Sequence, residues 1–385
     1  EHENPYFTTP KTAFDAQVNN YRTALPTLTR SERITGLARV VALVGDGHTW
    51  LPMHRLPFEG LPPGPGFRSL PVRFELFEDG LYVVGATPEY RSLLGGRVEQ
   101  FDGVSSDEAI DRALRLLPQD AVNFSAELVP EWLMQLELLQ ALGLAPEGDQ
   151  AVVVSSGVKH LITALPADRL YDWIFSMDGG PQNEDWLTES ERVPLWRMPL
   201  DEPWRYENLG DVVYFRFREI RDGTDLSLSS AAEKAVATAE SLNKPGLIID
   251  LRNCMGGNGQ LNAGFIDTLK SSTVQEGRIA VLISRQTHSA AIMLVSELER
   301  IEHPRFYGQA TADPPNHYGE TNLFVTPNSA LPIIYASEYS QTSRANDDRR
   351  FREPDVFIPY LFSDYRIGRD PVLDRARLDI KEKSR

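Results

Sequence analysis

Ser289 has the setting in this chain that most invites chemistry. In RQTHSAAIML it stands where an apolar segment, RIAVLIS, gives way to SAAIMLVSELER, whose composition suits a helix. A serine there can cap the helix, its hydroxyl accepting from an amide two or three residues on. It can also be a nucleophile on a tight strand-to-helix turn. LIIDLRNCMGGNGQ has the same layout, with a buried strand, then Gly256 and Gly257, then a helix. Two glycines free the backbone to aim its N–H groups at an anion or a developing oxyanion, although a plain turn can use them too. The amide of Ala290, directly after the serine, is a further donor for the same purpose. Asp250 and Arg252 share one face of their strand and are read as structuring the turn.

A serine nucleophile needs a base. His288 is its neighbour in sequence, but adjacent side chains on a turn diverge. His48 in GDGHTW and His317 in PNHYGE remain, each in a polar, glycine-containing loop where a histidine can also be simply solvated. Asp347 and Asp348, ahead of RRFREPD, could orient such a ring, or could only face water.

The elements that must carry these residues follow from periodicity. Residues 9–45 read as helices: Ile34, Leu37, Val40, Val41 and Val44 line one face, with Ser31 placed as N-cap and Gly45 as C-cap. A Pro/Gly-rich linker, LPFEGLPPGPG, follows. From 66 to 165 short strands dominate, with a hairpin turning at Asp79 and Gly80 and a helix around SSDEAIDRALRLL. Residues 166–210, with Trp173, Trp186, Trp196 and Trp204, show no period and read as a connector or cap. From 211 to 385 continuously apolar strands alternate with helices, which implies an α/β fold with a parallel sheet covered on both faces. Both special turns, 253–259 and 285–290, then fall at the carboxyl edge of that sheet, where open α/β sheets bind ligands.

Composition narrows the functional classes. The 385 residues are 41% hydrophobic and 24% charged, an ordinary folded composition, and the formal net charge is −16. With 55 acids against 39 bases there is no cationic excess for nucleic acid or an anionic membrane. The single cysteine, Cys254, excludes an intramolecular disulfide framework and a cysteine zinc cluster. No apolar stretch is long enough to span a bilayer, so a soluble protein is expected. The start at Glu1 is compatible with an exported protein that has lost a leader.

Taken together, VGDGHTWL, FEDGLYVVGATPEYRSLLGGRVEQFDG, GLIIDLRNCMGG, RQTHSAA, FYGQATADPPNHYGE and REPDVFIP resemble, in order, the C-terminal processing and tricorn-type serine peptidases. That group also contains the retinoid-binding repeats of the interphotoreceptor protein. The resemblance implies a helical N-terminal segment (1–65) carrying His48, a PDZ-like β-rich domain (66–165), the connector, and a core shaped like the crotonase and Clp protease fold (211–385). It makes Ser289 the nucleophile. In the processing branch a lysine some two dozen residues later is the base, but QATADPPNHYG holds none and has Pro314 near the place. The tricorn branch uses a histidine from an N-terminal segment, which GDGHT matches with His48. Its orienting acid matches Asp348, with Asp347 beside it; the acid expected after Ser-Ala-Ala is replaced by Ile292.

The implied activity is a serine peptidase that needs no metal or organic cofactor and acts on a polypeptide or peptide. A neutral imidazole with a pKa of about 6.5 suits the base's task. A PDZ-like domain would hold a substrate's C-terminus by strand addition. A relative that keeps the cleft to bind an apolar ligand, or for other acyl or isomerising chemistry, is the alternative expectation. Oligomeric state is not encoded in these patterns.

Overall fold

Helices α1 (Lys11–Ala24) and α2 (Arg30–Ala42) open the chain. The second is capped by Thr29, whose hydroxyl accepts the Glu32 amide at 3.3 Å while the Glu32 carboxylate accepts the Thr29 amide at 2.8 Å. This reciprocal pair needs a glutamate three residues after the cap. Ser31, expected as the cap, has Ile34 there and lies inside the helix instead. The computed structural model describes residues 2–53, 65–166, 186–242, 246–274, 278–301 and 304–382. Most of the Pro/Gly linker, and residues 167–185 of the connector with Trp173, lie outside the described residues.

Strands β1 (Val72–Phe77) and β2 (Gly80–Ala86) form the expected hairpin, with Gly80 already paired to Phe77. Next come β3 (Val98–Phe101), β4 (Val104–Ser105) and α3 (Ser106–Leu114). After these lie α4 (Val122–Trp132), α5 (Leu136–Ala141), β5 (Gln150–Ser155), β6 (Val158–Thr163) and β7 (Leu187–Thr188). The sheet orders are β1-β2-β7 and β4-β3-β5-β6. Helices α4 and α5 went unassigned in the sequence. Val129, Trp132, Leu136, Leu138 and Leu139 are all buried, and a segment apolar on most sides shows no amphipathic period.

The α/β part is as expected. β8 (Trp204–Asn208), β9 (Val213–Phe217), α6 (Leu228–Glu240), β10 (Leu247–Asp250), α7 (Asn262–Lys270), β11 (Ile279–Ile283), α8 (Ala290–Leu298) and β12 (Arg305–Gly308) follow in turn. The hairpin β13 (Asn316–Val325) and β14 (Pro332–Gln341) precedes β15 (Val356–Phe357), α9 (Phe362–Arg366) and α10 (Pro371–Glu382). The six-stranded order is β15-β12-β11-β10-β9-β8. Pairings from β15 to β9 are parallel, and β8, which lies within the stretch read as connector, is an antiparallel edge.

Both faces are covered. Leu247 and Ile249 of β10 pack with Leu228, Phe265 and Leu294 of α6, α7 and α8. Ile248 turns the other way, to Val372, Ala376 and Ile380 of α10. This two-sided burial is why these strands read as unbroken apolar runs. The chain forms two compact units, residues 1–191 with 318–340 and residues 192–317 with 341–385. Among the described residues, no helix is long and apolar enough to cross a membrane.

Cys254 lies fully buried in the second unit's core, and burial pushes its thiol up to about 12. The native protein is therefore expected to give no reaction with a disulfide thiol reagent at pH 8, and one equivalent after denaturation. Rapid reaction of native protein would contradict this packing.

Candidate active site

Strands β10 and β11 run parallel, with Asp250 opposite Leu282, so the loops leaving their carboxyl ends start side by side. Short polar side chains stitch those loops together. The Ser284 hydroxyl donates to the Arg252 carbonyl at 2.5 Å and the Thr287 hydroxyl to the Leu251 carbonyl at 2.9 Å. The His288 amide donates to the Cys254 carbonyl at 3.1 Å. Each bond satisfies a backbone group that strand pairing leaves open.

Ser289 sits at this junction in a conformation rare for a residue with a side chain, φ 54° and ψ −125°. Such a backbone costs about 1–3 kcal/mol and persists only where its surroundings enforce it. Its hydroxyl makes no capping bond to α8, so Ser289 occupies the N-cap position without acting as a cap. The residue is partly exposed.

Gly256 faces it, at φ 113°. A Cβ there would lie 2.7 Å from Ser289 Cβ, 3.1 Å from its Oγ and 3.2 Å from the Ala290 nitrogen, so only glycine admits this approach. The Gly256 carbonyl accepts from Ile220 at 2.7 Å, and the Asn258 amide donates to the Ile220 carbonyl at 2.7 Å. Because a trans peptide points its C=O and N–H in opposite directions, the Gly257 N–H points away from Ile220. Among the described residues, neither that amide nor those of Gly256 and Ala290 donate to a protein acceptor. Backbone donors of this kind beside a serine hydroxyl are the parts of an oxyanion hole.

A buried charge network holds the glycine turn from below. Arg252 donates to Asp250 at 2.6 Å and, through two nitrogens, to Asp370 at 2.7 Å each. The Trp196 ring lies 4.7 Å from the guanidinium carbon. Burial pushes the Asp250 carboxyl up, but the Arg252 charge and the hydrogen bonds from Arg252 and Tyr214 outweigh it and hold it below the usual carboxylate range. Asp370 also accepts the Leu373 amide at the start of α10, which ties the turn to the last helix. As the sequence indicated, Asp250 and Arg252 structure the turn.

The remaining candidates divide between the units. In the second, Asp313 is buried, accepts the Ser289 amide at 2.8 Å through Oδ2, and has His288 Nε2 3.4 Å from that oxygen. His317 is buried, with Nδ1 3.1 Å from the Pro314 carbonyl. Burial lowers its pKa, and His288 adds to the lowering while Asp313 opposes it. The Asp347 carboxylate is committed to Arg349 at 2.7 Å and to the Ser343 hydroxyl at 2.6 Å, and hydrogen bonding from Arg349 holds it far below its ordinary value. Asp348 is exposed and has no hydrogen-bond partner among the described residues.

His48 belongs to the first unit, buried in a loop that its own unit fixes closely. The His48 amide donates to Asp46 Oδ1 at 2.9 Å, and Asp46 Oδ2 lies 3.0 Å from His2 Nε2. The Thr49 hydroxyl accepts the Ala336 amide at 3.0 Å, and Trp50 and Ile334 exchange two backbone bonds of 3.0 Å. The second unit thus brings Ser289, Gly256 and Ala290 together. Asp313 escaped the sequence reading, because only the β11–β12 pairing carries its loop to the serine. The Ala312 amide bonds to the Thr287 carbonyl at 3.0 Å there.

No protein-family model and no curated protein sequence matches the chain. Solved structures do. Mature CPAF in complex with lactacystin superposes with a TM-score of 0.61 at 13% identity, over 96% of this chain and 93% of that one. Mature CPAF alone gives 0.61 at 14%, over 96% and 92%. The photosystem II D1 C-terminal processing protease is more distantly similar, with a TM-score of 0.37 at 14% identity over 90% and 88%. At these identities the likeness to CPAF establishes the fold, which the chain shares along nearly its whole length.

Gly256→Ala should slow covalent labelling of Ser289 by a fluorophosphonate at least about tenfold, because the methyl enters the approach to Oγ. An unchanged rate in the folded variant would contradict the geometry. His317 predicts a pH effect. Its folded pKa lies below the unfolded value of about 6.5, so the stability it contributes is present above that pH. It is lost as pH falls from there through the folded pKa. Urea midpoints between pH 5 and 7.5 should therefore fall less steeply with acid in His317→Gln than in the wild type, and identical slopes would refute the assignment.

Proposed function

We propose that this chain is a serine peptidase acting through an acyl-enzyme on Ser289. The observation that carries the reading is the Ser289 elbow: a serine at positive φ whose hydroxyl is not spent on capping, beside amides that take no protein acceptor among the described residues. In the proposed reaction Oγ attacks the peptide carbonyl carbon as its proton passes to His48. The carbonyl oxygen becomes an oxyanion received by Ala290 and the Gly256 or Gly257 amide, each donor contributing about 3 kcal/mol. The C–N bond then breaks, the amine leaves with the proton from His48, and water releases the acid by the reverse sequence.

His48 is favoured as base by its match to the tricorn branch and by the closely fixed loop that bears it. Asp348 is the orienting acid in this reading, since Asp347 is already committed to Arg349 and Ser343. The second unit is read as the crotonase- and Clp-like core, and the β-rich part of the first as a PDZ-like module that receives an extended peptide or a free C-terminus. Mature CPAF has been solved with lactacystin, and the same compound is a reasonable ligand to try against Ser289.

A fluorophosphonate probe, with the adduct mapped by mass spectrometry, tests this. Wild type should be modified at Ser289 and Ser289→Ala should not, while His48→Ala should react about a hundredfold or more slowly. Absence of modification in the wild type would overturn the reading. Undiminished modification of His48→Ala would move the base to His317.

A further inference from the structure

We infer that Asp313 is the positioning residue of the nucleophile: its carboxylate tethers the Ser289 amide, holds the serine in its left-handed conformation and withholds that amide from the oxyanion. The inference rests on the reading of Ser289 as nucleophile and adds a residue that lies inside the segment FYGQATADPPNHYGE but is given no role by its type or by the strand pattern.

Three observations carry it. The Ser289 backbone is unfavourable by itself, so something must enforce it. Within its turn the Ser289 N–H donates to Asp313 Oδ2 at 2.8 Å, a hydrogen bond to a charged acceptor in a water-poor setting, the stronger kind. The Asp313 loop is itself fixed. The Ala312 amide bonds to the Thr287 carbonyl, the Thr311 amide to the Arg352 carbonyl at 3.1 Å, and the Arg352 amide to the Thr311 hydroxyl at 2.8 Å. Asp313 therefore acts as a fixed post rather than a side chain following the serine. His288 Nε2, 3.4 Å from the same carboxylate oxygen, supplies a partner that a buried carboxylate requires.

The tether has a consequence for the oxyanion hole. In trypsin-like enzymes the nucleophile's own amide is one of the two donors. Here that amide is occupied, which leaves the hole to Ala290 and the glycine turn. A bystander acid would need none of this alignment.

Fluorophosphonate labelling and hydrogen exchange on the full chain test the proposal, with rates referred to folded protein. Asp313→Asn keeps an acceptor oxygen in place and should label within about tenfold of wild type. Asp313→Ala, and Asp313→Glu whose carboxylate is displaced by a methylene, should label about a hundredfold more slowly. In those two variants the Ser289 amide should also lose its exchange protection. If Asp313→Ala does not fold, the contrast between Asn and Glu decides. Glu labelling as fast as Asn, or a Ser289 amide equally protected in Glu or Ala, would overturn the proposal. A wild type that does not label at all would sink the nucleophile reading, while the exchange arm would still show whether Asp313 holds the amide.

Discussion

A serine at φ 54° is the constraint on which the proposed chemistry depends. Left to itself the residue would relax to negative φ and its hydroxyl would turn to cap α8. The structure prevents this from several sides. Thr287 and Ser284 bind the turn to the neighbouring loop, Gly256 removes the side chain that would stand in the way, and Asp313 takes the amide. The result is an Oγ presented at the carboxyl edge of a parallel sheet with backbone donors next to it, before any substrate arrives. Preorganisation of this kind is what lets fixed dipoles act without rearrangement in the transition state.

Beneath the glycine turn, two carboxylates share one guanidinium. Such networks are costly to assemble and costlier to break, because losing Arg252 would leave Asp250 and Asp370 buried without their counter-charge. Their position suggests specificity of geometry more than stability. Arg252 links the end of β10, the start of α10 and the Trp196 segment to the glycine turn that the proposal gives to the oxyanion.

Much of the α/β half was legible because strands buried on both faces write themselves as apolar runs, and RIAVLIS overruns the paired strand Ile279–Ile283 by one residue at each end. Ser289, Gly256, Gly257 and Ala290 could be grouped because the turns after adjacent parallel strands must open at one edge. What was not legible depends on partners distant in sequence. Asp313 is an unremarkable acid before two prolines until β12 pairs beside β11. Asp347 and Asp348 look alike as a pair, yet Arg349 and Ser343 claim one and leave the other in solvent. Helices α4 and α5 lost their period to burial, and Thr29 displaced Ser31 as cap because only Thr29 has a glutamate three residues on.

The most direct measurement is a crystal structure of the chain phosphonylated by a fluorophosphonate. The account predicts an adduct on Ser289 with φ still positive, and its phosphonyl oxygen within hydrogen-bond distance of the Ala290 amide and a Gly256 or Gly257 amide. A phosphonyl oxygen directed to solvent, or a serine relaxed to negative φ with its amide released, would contradict it.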